Sequence, residues 1–409
     1  MVPEGWQITK LGRVFKSRRE KGRDGLPTLS VTLNDGLVLR ESLERKTDTN
    51  LTPDEHLLVR EGEIAYNMMR MWQGASGLAK FDALVSPAYI VLRPTKEIDA
   101  VFASFLFKSS RMIYLFWAYS YGLHSDRLRL YFPDFSLIPV TLPPIEEQRR
   151  IGLLLSKWDQ AKNVVERLLE NSETQKLALA QKLLTGKKRL DQHRHRPWRR
   201  VRLRDVADVV ASNVDKKREP NQHSVRLCNY TDVYYNVHIT GGLHFMEATA
   251  TPSEIARFGL RKGDVLITKD SEMPDDIAVP AFVDEDLPDV LCGYHLALIR
   301  PRRGQVDGAF LSNLFLLKKT RHYFLTRANG VTRFGLAVDD IRHAQLWMPE
   351  MDEQRDIARL LRDCDHTIAN LKKQLASLED EQSSLVYQLV TGKRRVKVKH
   401  AAAPVAVNG

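Results

Sequence analysis

Two polar stretches in each half of this chain carry side chains suited to directed hydrogen bonding. In the first half, residues 67–74 combine amide, guanidinium and indole groups, and residues 122–129 are mostly polar and begin with a glycine. Amide and guanidinium groups form paired hydrogen bonds with planar partners, among them the edges of nucleobases. Their glycine and polar content predicts loops. The candidates for reading such edges are Asn67, Arg70, Trp72 and Arg127 in the first half, and Lys269, Ser271, Asn329 and Arg333 in the second.

A basic cluster stands early in each half of the chain. The net charge is +11, and the two long helical segments described below hold slightly more acidic than basic residues. The positive excess therefore lies outside those segments, which is typical of a protein that binds a polyanion. A solvated basic surface would give the same total. The candidates for phosphate contact are Lys16, Arg18, Arg19, Lys216, Lys217 and Arg218.

No catalytic constellation is recognisable in the sequence. It has no Gly-rich phosphate loop, no nucleophile elbow, and no Asn-Pro-Pro-aromatic or Asp-Pro-Pro-aromatic segment of the kind that holds a flipped base in amino-methyltransferases. His193 and His195 lie in a basic linker without a second ligand cluster. The acidic stretches 275–276 and 284–286 are more simply interpreted as solvated turns. We expect neither a catalytic residue nor a metal site.

The cysteine pattern and the hydropathy indicate an intracellular protein. Cys228, Cys292 and Cys364 have no metal-like spacing, so we expect reduced thiols. The sequence contains no apolar run of 18 residues and no signal-peptide pattern. We therefore expect a cytoplasmic location and no membrane span.

The elements that must position the loops repeat along the chain. One long segment contains Glu-Gln near its start and Leu-x-Thr-Gly-Lys at its end, where x is any residue, and a second segment near the C-terminus does the same. Gln148 matches Gln354 and Gly186 matches Gly392, both at an offset of 206 positions. Two segments that keep one register predict two copies of one unit.

Both segments have the periodicity of long helices. Proline precedes each, and Gly186 and Gly392 stand where a left-handed C-terminal cap is expected. Apolar residues recur at heptad spacing, which predicts that the two helices pair with each other. The predicted seams are Ile151, Leu154, Trp158, Ala161, Val165, Leu169, Leu179 and Leu183, and Ile357, Leu360, Cys364, Ile368, Leu371, Leu375, Leu378, Leu385 and Leu389.

The regions before the helices repeat more loosely. Predicted strands at residues 89–94 and 296–301 both end in Arg-Pro, whereas the loop residues differ between the copies. One scaffold with two different sets of loops predicts contact with two different targets of the same kind, although neutral drift of loops gives the same pattern. The predicted boundaries are 1–143 and 198–348 for the globular domains, 144–186 and 349–392 for the helices, 187–197 for a basic linker, and 393–409 for a basic, mostly disordered tail.

The doubled helix motif resembles that of the specificity subunit of type I restriction–modification systems, over nearly the whole chain. One departure is that Pro143 precedes Pro144, whereas Glu350 follows Pro349. The resemblance is carried by Pro144, Glu147, Gln148, Ile151, Leu183, Thr185, Gly186 and Lys187, and by Pro349, Glu353, Gln354, Ile357, Leu389, Thr391, Gly392 and Lys393.

The resemblance implies an α+β fold with two α/β target-recognition domains in tandem, each followed by a long helix. The two helices would form an antiparallel coiled coil with pseudo-twofold symmetry. The implied partners are double-stranded DNA, two adenine methyltransferase subunits and restriction subunits. No cofactor would be bound by this chain; S-adenosylmethionine is expected on the methyltransferase, and ATP and magnesium on the restriction subunit.

Two other function classes remain open at this point. The chain could be a coiled-coil scaffold that recruits protein partners without binding DNA, or a self-sufficient enzyme with an unfamiliar site. Salt-dependent binding of duplex DNA separates the specificity subunit from the scaffold. Methylation that requires an added partner separates it from the enzyme.

Overall fold

The computed structural model describes residues 2–43, 51–124 and 126–396. The chain forms two compact units, of which the first comprises Met1–Arg167 and Lys372–Gly409 and the second Leu168–Leu371. Each unit contains a globular α+β part and one half of each long helix. Of the predicted tail, residues 397–409 lie outside the described residues.

The first unit has ten strands, and its last helix continues beyond it. The strands are β1 (Gln7–Lys10), β2 (Phe15–Arg18), β3 (Thr28–Val31), β4 (Leu37–Leu39), β5 (Leu57–Val59), β6 (Ile64–Asn67), β7 (Ser76–Leu78), β8 (Ala83–Val85), β9 (Tyr89–Pro94) and β10 (Pro139–Leu142). The helices are α1 (Leu11–Val14), α2 (Ala100–Phe107), α3 (Ser110–Ala118), α4 (Phe132–Leu137) and α5 (Ile145–Leu183). These counts cover the described residues.

The second unit follows the same order with additions. Its strands are β11 (Arg199–Arg202), β12 (Ala207–Ala211), β13 (His223–Cys228), β14 (His238–Ile239), β15 (Met246–Ala250), β16 (Gly259–Leu260), β17 (Val265–Thr268), β18 (Asp270–Ser271), β19 (Pro280–Val283), β20 (Leu287–Cys292), β21 (Leu296–Pro301), β22 (Phe334–Gly335) and β23 (Gln345–Met348). Its helices are α6 (Leu203–Val206), α7 (Tyr230–Tyr235), α8 (Pro252–Phe258), α9 (Gly308–Phe315), α10 (Lys318–Leu325), α11 (Val338–Arg342) and α12 (Met351–Val390).

Each unit is built on two main sheets. In the first unit their strand orders are β2-β9-β6-β7 and β4-β3-β8-β5, and in the second they are β12-β21-β17-β19-β14 and β15-β13-β20-β16. The pairs β3–β8 and β13–β20 are parallel, so each unit contains one parallel pair at the matching place in its second sheet. Separate hydrophobic cores lie in the two units.

The central strands agree with the sequence prediction. Strands β9 and β21 span the predicted residues, because a run of branched apolar residues fits a buried strand and the closing proline ends it. The apolar stretch that begins at Val101 is divided into α2 and α3. Ser109 causes the break, since its side chain accepts a hydrogen bond from the Met112 backbone N–H and caps a new helix.

The two predicted long helices are present and end as expected. Helix α5 has 39 residues and α12 has 40. Gly186 and Gly392 have φ angles of +70° and +72°. This left-handed conformation suits glycine and ends each helix where the sequence predicted.

The helices pair antiparallel inside each unit. In the first unit, Asp159 of α5 accepts a hydrogen bond from Gln382 of α12, while the start of α5 shares a core with the end of α12. In the second unit, Lys176 of α5 forms an ion pair with Asp365 of α12, and the end of α5 lies beside the start of α12. Lys176 and Gln382 occupy matched positions at the offset of 206, as do Asp159 and Asp365. The predicted antiparallel coiled coil is therefore confirmed, with one polar pair in each half.

The predicted seams were wrong at one matched leucine in each helix and at Ala161 of the first, which is exposed. Leu154 and Leu360 are exposed, whereas the next residues, Leu155 and Leu361, are fully buried. The first turns of α5 and α12 pack into the globular cores rather than only against the opposite helix. The heptad template assumes a helical partner alone, so it selected the leucine on the wrong face.

Candidate nucleic-acid interface

The candidate loops of the first unit meet at one edge of its first sheet. Strands β2 and β6 both run antiparallel to the strand between them, β9, so their C-terminal ends lie at the same edge. Strand β2 ends at Arg18 and β6 ends at Asn67. We call this the first loop edge. It brings the basic cluster and the candidate base readers to the same end of the sheet.

A hairpin joins the first loop edge. Tyr121 and Arg129 close the hairpin with two backbone hydrogen bonds of 3.1 and 3.0 Å. The Leu130 N–H then donates to the Met68 carbonyl at 2.9 Å, which fixes the hairpin against residues 67–74. Arg127 of the hairpin therefore lies on the same face of the unit as Asn67 and Arg70.

The second unit repeats this arrangement with different side chains. Strands β12 and β17 end at one edge beside the start of β21, which we call the second loop edge. Asn329 and Gly335 close a hairpin with bonds of 3.0 and 2.9 Å, and the Leu336 N–H donates to the Lys269 carbonyl at 3.0 Å. This last bond corresponds to the one from Leu130, because Leu130 and Leu336 differ by 206 positions. The structure thus brings Lys269, Ser271, Asn329 and Arg333 together.

The first-edge candidates divide into exposed groups and groups that shape the loop. The Asn67 side chain accepts a hydrogen bond from the Met69 N–H at 3.0 Å, and the Trp72 indole N–H donates to the Met69 carbonyl at 3.0 Å. Both contacts hold the turn that follows β6. Arg70 and Arg127 are exposed and lie next to this turn. They are the better placed of the four for contact with a ligand.

The second-edge candidates divide in the same way. The Lys269 ammonium lies 2.7 Å from both carboxylate oxygens of Asp270. Ser271 is only 8% exposed and lies 3.2 Å from the Tyr230 hydroxyl. Asn329 and Arg333 are exposed on the hairpin. In the free protein the side chains of Lys269 and Ser271 are already bound to Asp270 and Tyr230 of the same chain. To read bases, they would have to exchange these contacts for contacts with DNA.

The basic cluster of the first unit contains two adjacent arginines in different environments. The Arg18 guanidinium is bound by Glu63 at 2.6 Å and Glu20 at 2.5 Å, and its side chain is mostly buried. Arg19 is exposed. Lys16 is also exposed, and its ammonium donates to the Gly12 carbonyl at 3.1 Å. Arg18 stabilises the protein interior, whereas Arg19 and Lys16 remain accessible to a phosphate.

The basic cluster of the second unit is exposed throughout. Lys217 lies 3.3 Å from Asp215, and Arg218 lies 2.8 Å from Glu247. The Lys216 backbone N–H and the Lys217 side chain lower the pKa of Asp215. Ion pairs between exposed groups are weak, so Lys216, Lys217 and Arg218 can exchange these partners for phosphate.

Exposed aromatic side chains near both edges were not singled out from the sequence. In the first unit they are Tyr114, Trp117 and Tyr121, and in the second Tyr235 and Tyr294. Tyr114 and Trp117 lie on α3, which packs against the short turn of helix at Met71–Gln73. Their positions on the polar side of an amphipathic helix were the available signal. Aromatic rings of this kind are frequent at binding surfaces.

The glutamine of the doubled motif positions the helix that follows the central strand. Gln148 is buried, and its side chain accepts from the Asp99 N–H at 2.9 Å and donates to the Pro143 carbonyl at 2.9 Å. Gln354 makes the same two contacts, with Asp307 and Pro349, at 2.9 Å each. Asp99 and Asp307 cap α2 and α9. The motif therefore fixes each globular part to its long helix.

The glutamate of the motif binds an arginine that follows the other helix. In the first unit, Arg395 donates to both carboxylate oxygens of Glu147 at 2.7 and 2.8 Å. In the second unit, Arg189 donates to both oxygens of Glu353 at 2.7 Å. Both glutamates are buried, and a buried carboxylate needs a bidentate contact with a cation of this kind. The two arginines stand two positions after the motif lysines, a repeat that the sequence contained.

Among the described residues no group of three or more His, Cys, Asp or Glu side chains could hold a metal ion. His193 is buried, and its Nε2 lies 3.0 Å from an Asp356 oxygen. Asp276 accepts from the Tyr234 hydroxyl at 3.0 Å, which raises the pKa of that tyrosine. The three cysteines are free thiols. Within the same part of the chain, none of the helices is both long and apolar enough to cross a membrane.

Comparison with known families identifies the family of the chain. The model of the type I restriction modification DNA specificity domain matches residues 3–172 and, in a second copy, residues 195–380. The chain belongs to this family. Membership connects the chain with DNA sequence specificity and confirms both the repeat and the resemblance carried by the helix motifs.

Known specificity subunits match the chain over almost their full length. The type I restriction enzyme MjaVIII specificity subunit of Methanocaldococcus jannaschii is 21% identical over 421 residues, covering 97% of this chain and 94% of that protein. The putative MjaX specificity subunit of the same organism is also 21% identical, over 424 residues, with 97% and 95% covered.

Solved structures share the fold. The S subunit of a type I restriction–modification system from M. genitalium superposes with a TM-score of 0.59 at 15% identity, covering 95% of this chain and 96% of that one. A chain from a structural study of complex assembly and conformational transition of the type I R-M system gives 0.52 at 18% identity, with 96% and 100% covered. At these identities the likeness concerns the fold alone.

Proposed function

We propose that this chain is the DNA-specificity subunit of a type I restriction–modification enzyme and that it recognises a bipartite duplex site. Each loop edge reads one half-site, and the paired helices set the number of unread base pairs between the halves. The observation that carries the proposal is the repeated loop edge. The same backbone bond, from Leu130 to Met68 and from Leu336 to Lys269, holds two sets of loops whose side chains differ.

The chemistry of the loop edges supports separate groups of side chains for base contacts and for phosphate contacts. Exposed arginine and amide groups such as Arg70, Arg127 and Asn329 match the donor and acceptor patterns of base edges in the major groove. Exposed cations such as Arg19 and Lys216 match phosphates, which position a protein without specifying sequence.

The catalytic steps belong to partners in this proposal. Two adenine methyltransferase subunits, which bind S-adenosylmethionine, and restriction subunits, which use ATP and magnesium, are positioned on the site by this chain. The chain itself is non-catalytic and binds no cofactor. Because the assembly acts on cellular DNA, we expect it in the cytoplasm.

Two measurements test the proposal. The chain, with its methyltransferase partner, is titrated with a duplex that carries the methylated site of its host. We expect the logarithm of the affinity to fall linearly with the logarithm of the salt concentration, because phosphate contacts release counterions. Methylation should require both proteins. A chain that binds its partner but shows no salt-dependent duplex binding would be a scaffold, and methylation by the chain alone would make it an enzyme.

A further inference from the structure

Each hairpin of the two loop edges carries one strongly exposed aliphatic residue, which we call its tip residue. Leu123 is 99% exposed and Val331 is 91% exposed. Each directly follows a glycine, Gly122 or Gly330, and each lies two positions after the residue that closes its hairpin. Counted from the first closing residue, the two aliphatic residues therefore hold the same position, although the first hairpin is two residues longer.

The backbone turns back tightly just before each tip. A Cβ atom added to Gly122 would lie 2.5 Å from the Arg127 carbonyl oxygen, and one added to Gly330 would lie 1.9 Å from the Arg333 carbonyl oxygen. Only glycine fits such a close approach of two strands. The glycines keep each hairpin narrow.

Neither aliphatic side chain contributes to the folded core. An apolar group that stays in water gains no hydrophobic stabilisation from folding. A single exposed aliphatic residue is common on a protein surface. Here the position is aliphatic in both units, although the neighbouring loop residues differ, so a shared contact outside the chain explains it better than drift.

The surroundings of the tips indicate the chemistry of that contact. Arg127 and Arg129 in the first hairpin, and Arg333 in the second, are exposed. A narrow two-stranded ribbon fits the major groove of B-form DNA, where arginine reaches base edges or phosphates. The apolar group that faces that groove is the C5 methyl of thymine, which aliphatic side chains contact.

We propose that Leu123 and Val331 are specificity-determining residues, each packing on a thymine methyl group in the major groove of its half-site. This inference rests on the proposed function and deepens it. It assigns an apolar reading contact to each hairpin in addition to the polar candidates.

The test uses the chain with its methyltransferase partner and duplexes in which one thymine of the site at a time is replaced by deoxyuridine, which lacks only the methyl group. For the unmodified protein we expect one replacement in each half-site to lower affinity roughly five- to tenfold. Leu123→Ser should cause a similar loss and abolish the response to the replacement in one half-site only. Val331→Ser should do the same for the other half-site.

Controls separate this contact from general damage. Leu123→Ile and Val331→Ile should retain affinity, because the aliphatic contact persists. Phe81→Ser removes an exposed apolar group from the opposite edge of the first sheet and should leave affinity unchanged. All variants should keep the same unfolding midpoint, since the altered side chains are exposed.

Several outcomes would overturn the inference. Serine variants that bind as the parent does, or that lose affinity while the deoxyuridine response persists in both half-sites, exclude the thymine contact. If the parent complex binds no duplex at all, the proposed function fails together with this inference. If the parent binds the duplex and the serine variants have the same affinity as the parent, the inference alone fails.

Discussion

Arg189 donates two hydrogen bonds of 2.7 Å to Glu353, a residue 164 positions later in the chain whose side chain is 1% exposed. Arg395 makes the same bidentate contact with Glu147. Each unit therefore needs the arginine that follows one helix and the glutamate that begins the other. The glutamate at the start of each motif is therefore bound by an arginine just beyond the Thr-Gly-Lys end of the other copy.

Removing either arginine should destabilise its unit, and the effect should be larger for Arg189. Arg189→Met leaves the buried Glu353 carboxylate unpaired, at a cost of about 3 kcal/mol. The Arg395 side chain is 43% exposed, against 18% for Arg189, so water replaces it more easily and Arg395→Met should cost about 1 kcal/mol. Urea unfolding monitored by circular dichroism measures both. The double variant Arg189→Met/Glu353→Gln should recover part of the loss, and equal midpoints for all variants would refute the assignment.

The adjacent residues Arg18 and Arg19 should respond in opposite ways to replacement by alanine. Arg18→Ala leaves Glu63 buried without its partner and should lower the free energy of unfolding by about 2 kcal/mol. Arg19→Ala should leave stability unchanged. If Arg19 contacts a phosphate, its loss weakens DNA binding and lowers the slope of log affinity against log salt by about one unit. The prediction fails if Arg19→Ala leaves the slope unchanged, or if Arg18→Ala is as stable as the parent.

His238 should make the stability of the second unit depend on pH. The carboxylates of Asp365 and Asp284 raise its pKa above the ordinary 6.5, against the opposing effect of burial. Asp365 also contacts Lys176, and Arg362 lines the same small cavity. A raised pKa means that the contribution is fully present below the ordinary value and is lost as pH rises through the raised value.

The measurement compares the parent with His238→Gln from about pH 6, near the ordinary pKa, to about pH 9. The excess free energy of unfolding of the parent should shrink as the pH increases. An excess that stays constant across this range would show that protonated His238 does not stabilise the unit.

The sequence predicted the periodic elements and not the partners of individual charges. Strands β9 and β21 were predictable because branched apolar runs closed by proline have few alternatives. Leu154 was mistaken for a seam residue because a one-dimensional template cannot show that the first helical turn packs into a globular core. The Arg18–Glu63 pair spans 45 positions, so no local pattern reveals that this arginine is occupied.

The candidate site was predictable in position and less so in role. Arg127 and Arg333 were both candidates from polar loops, and the structure puts both on exposed hairpins. The burial of Ser271 beneath Tyr230 depends on how α7 packs against β17, which the sequence does not encode locally. The base and phosphate assignments themselves remain predictions.

We propose that the paired helices hold two independent readers at a set separation along one duplex. Four residues inserted near the middle of α5 lengthen that helix by about 6 Å, which corresponds to one or two base pairs. The same four residues added after residue 396 serve as the control. The direct measurement is a map of methylated sites in cells that carry each variant with its partner subunits. For the helix insertion we predict unchanged half-sites separated by a gap that is wider by one or two base pairs. For the control we predict unchanged sites. An altered half-site with a constant gap would show that the helices do not set the separation of the two readers.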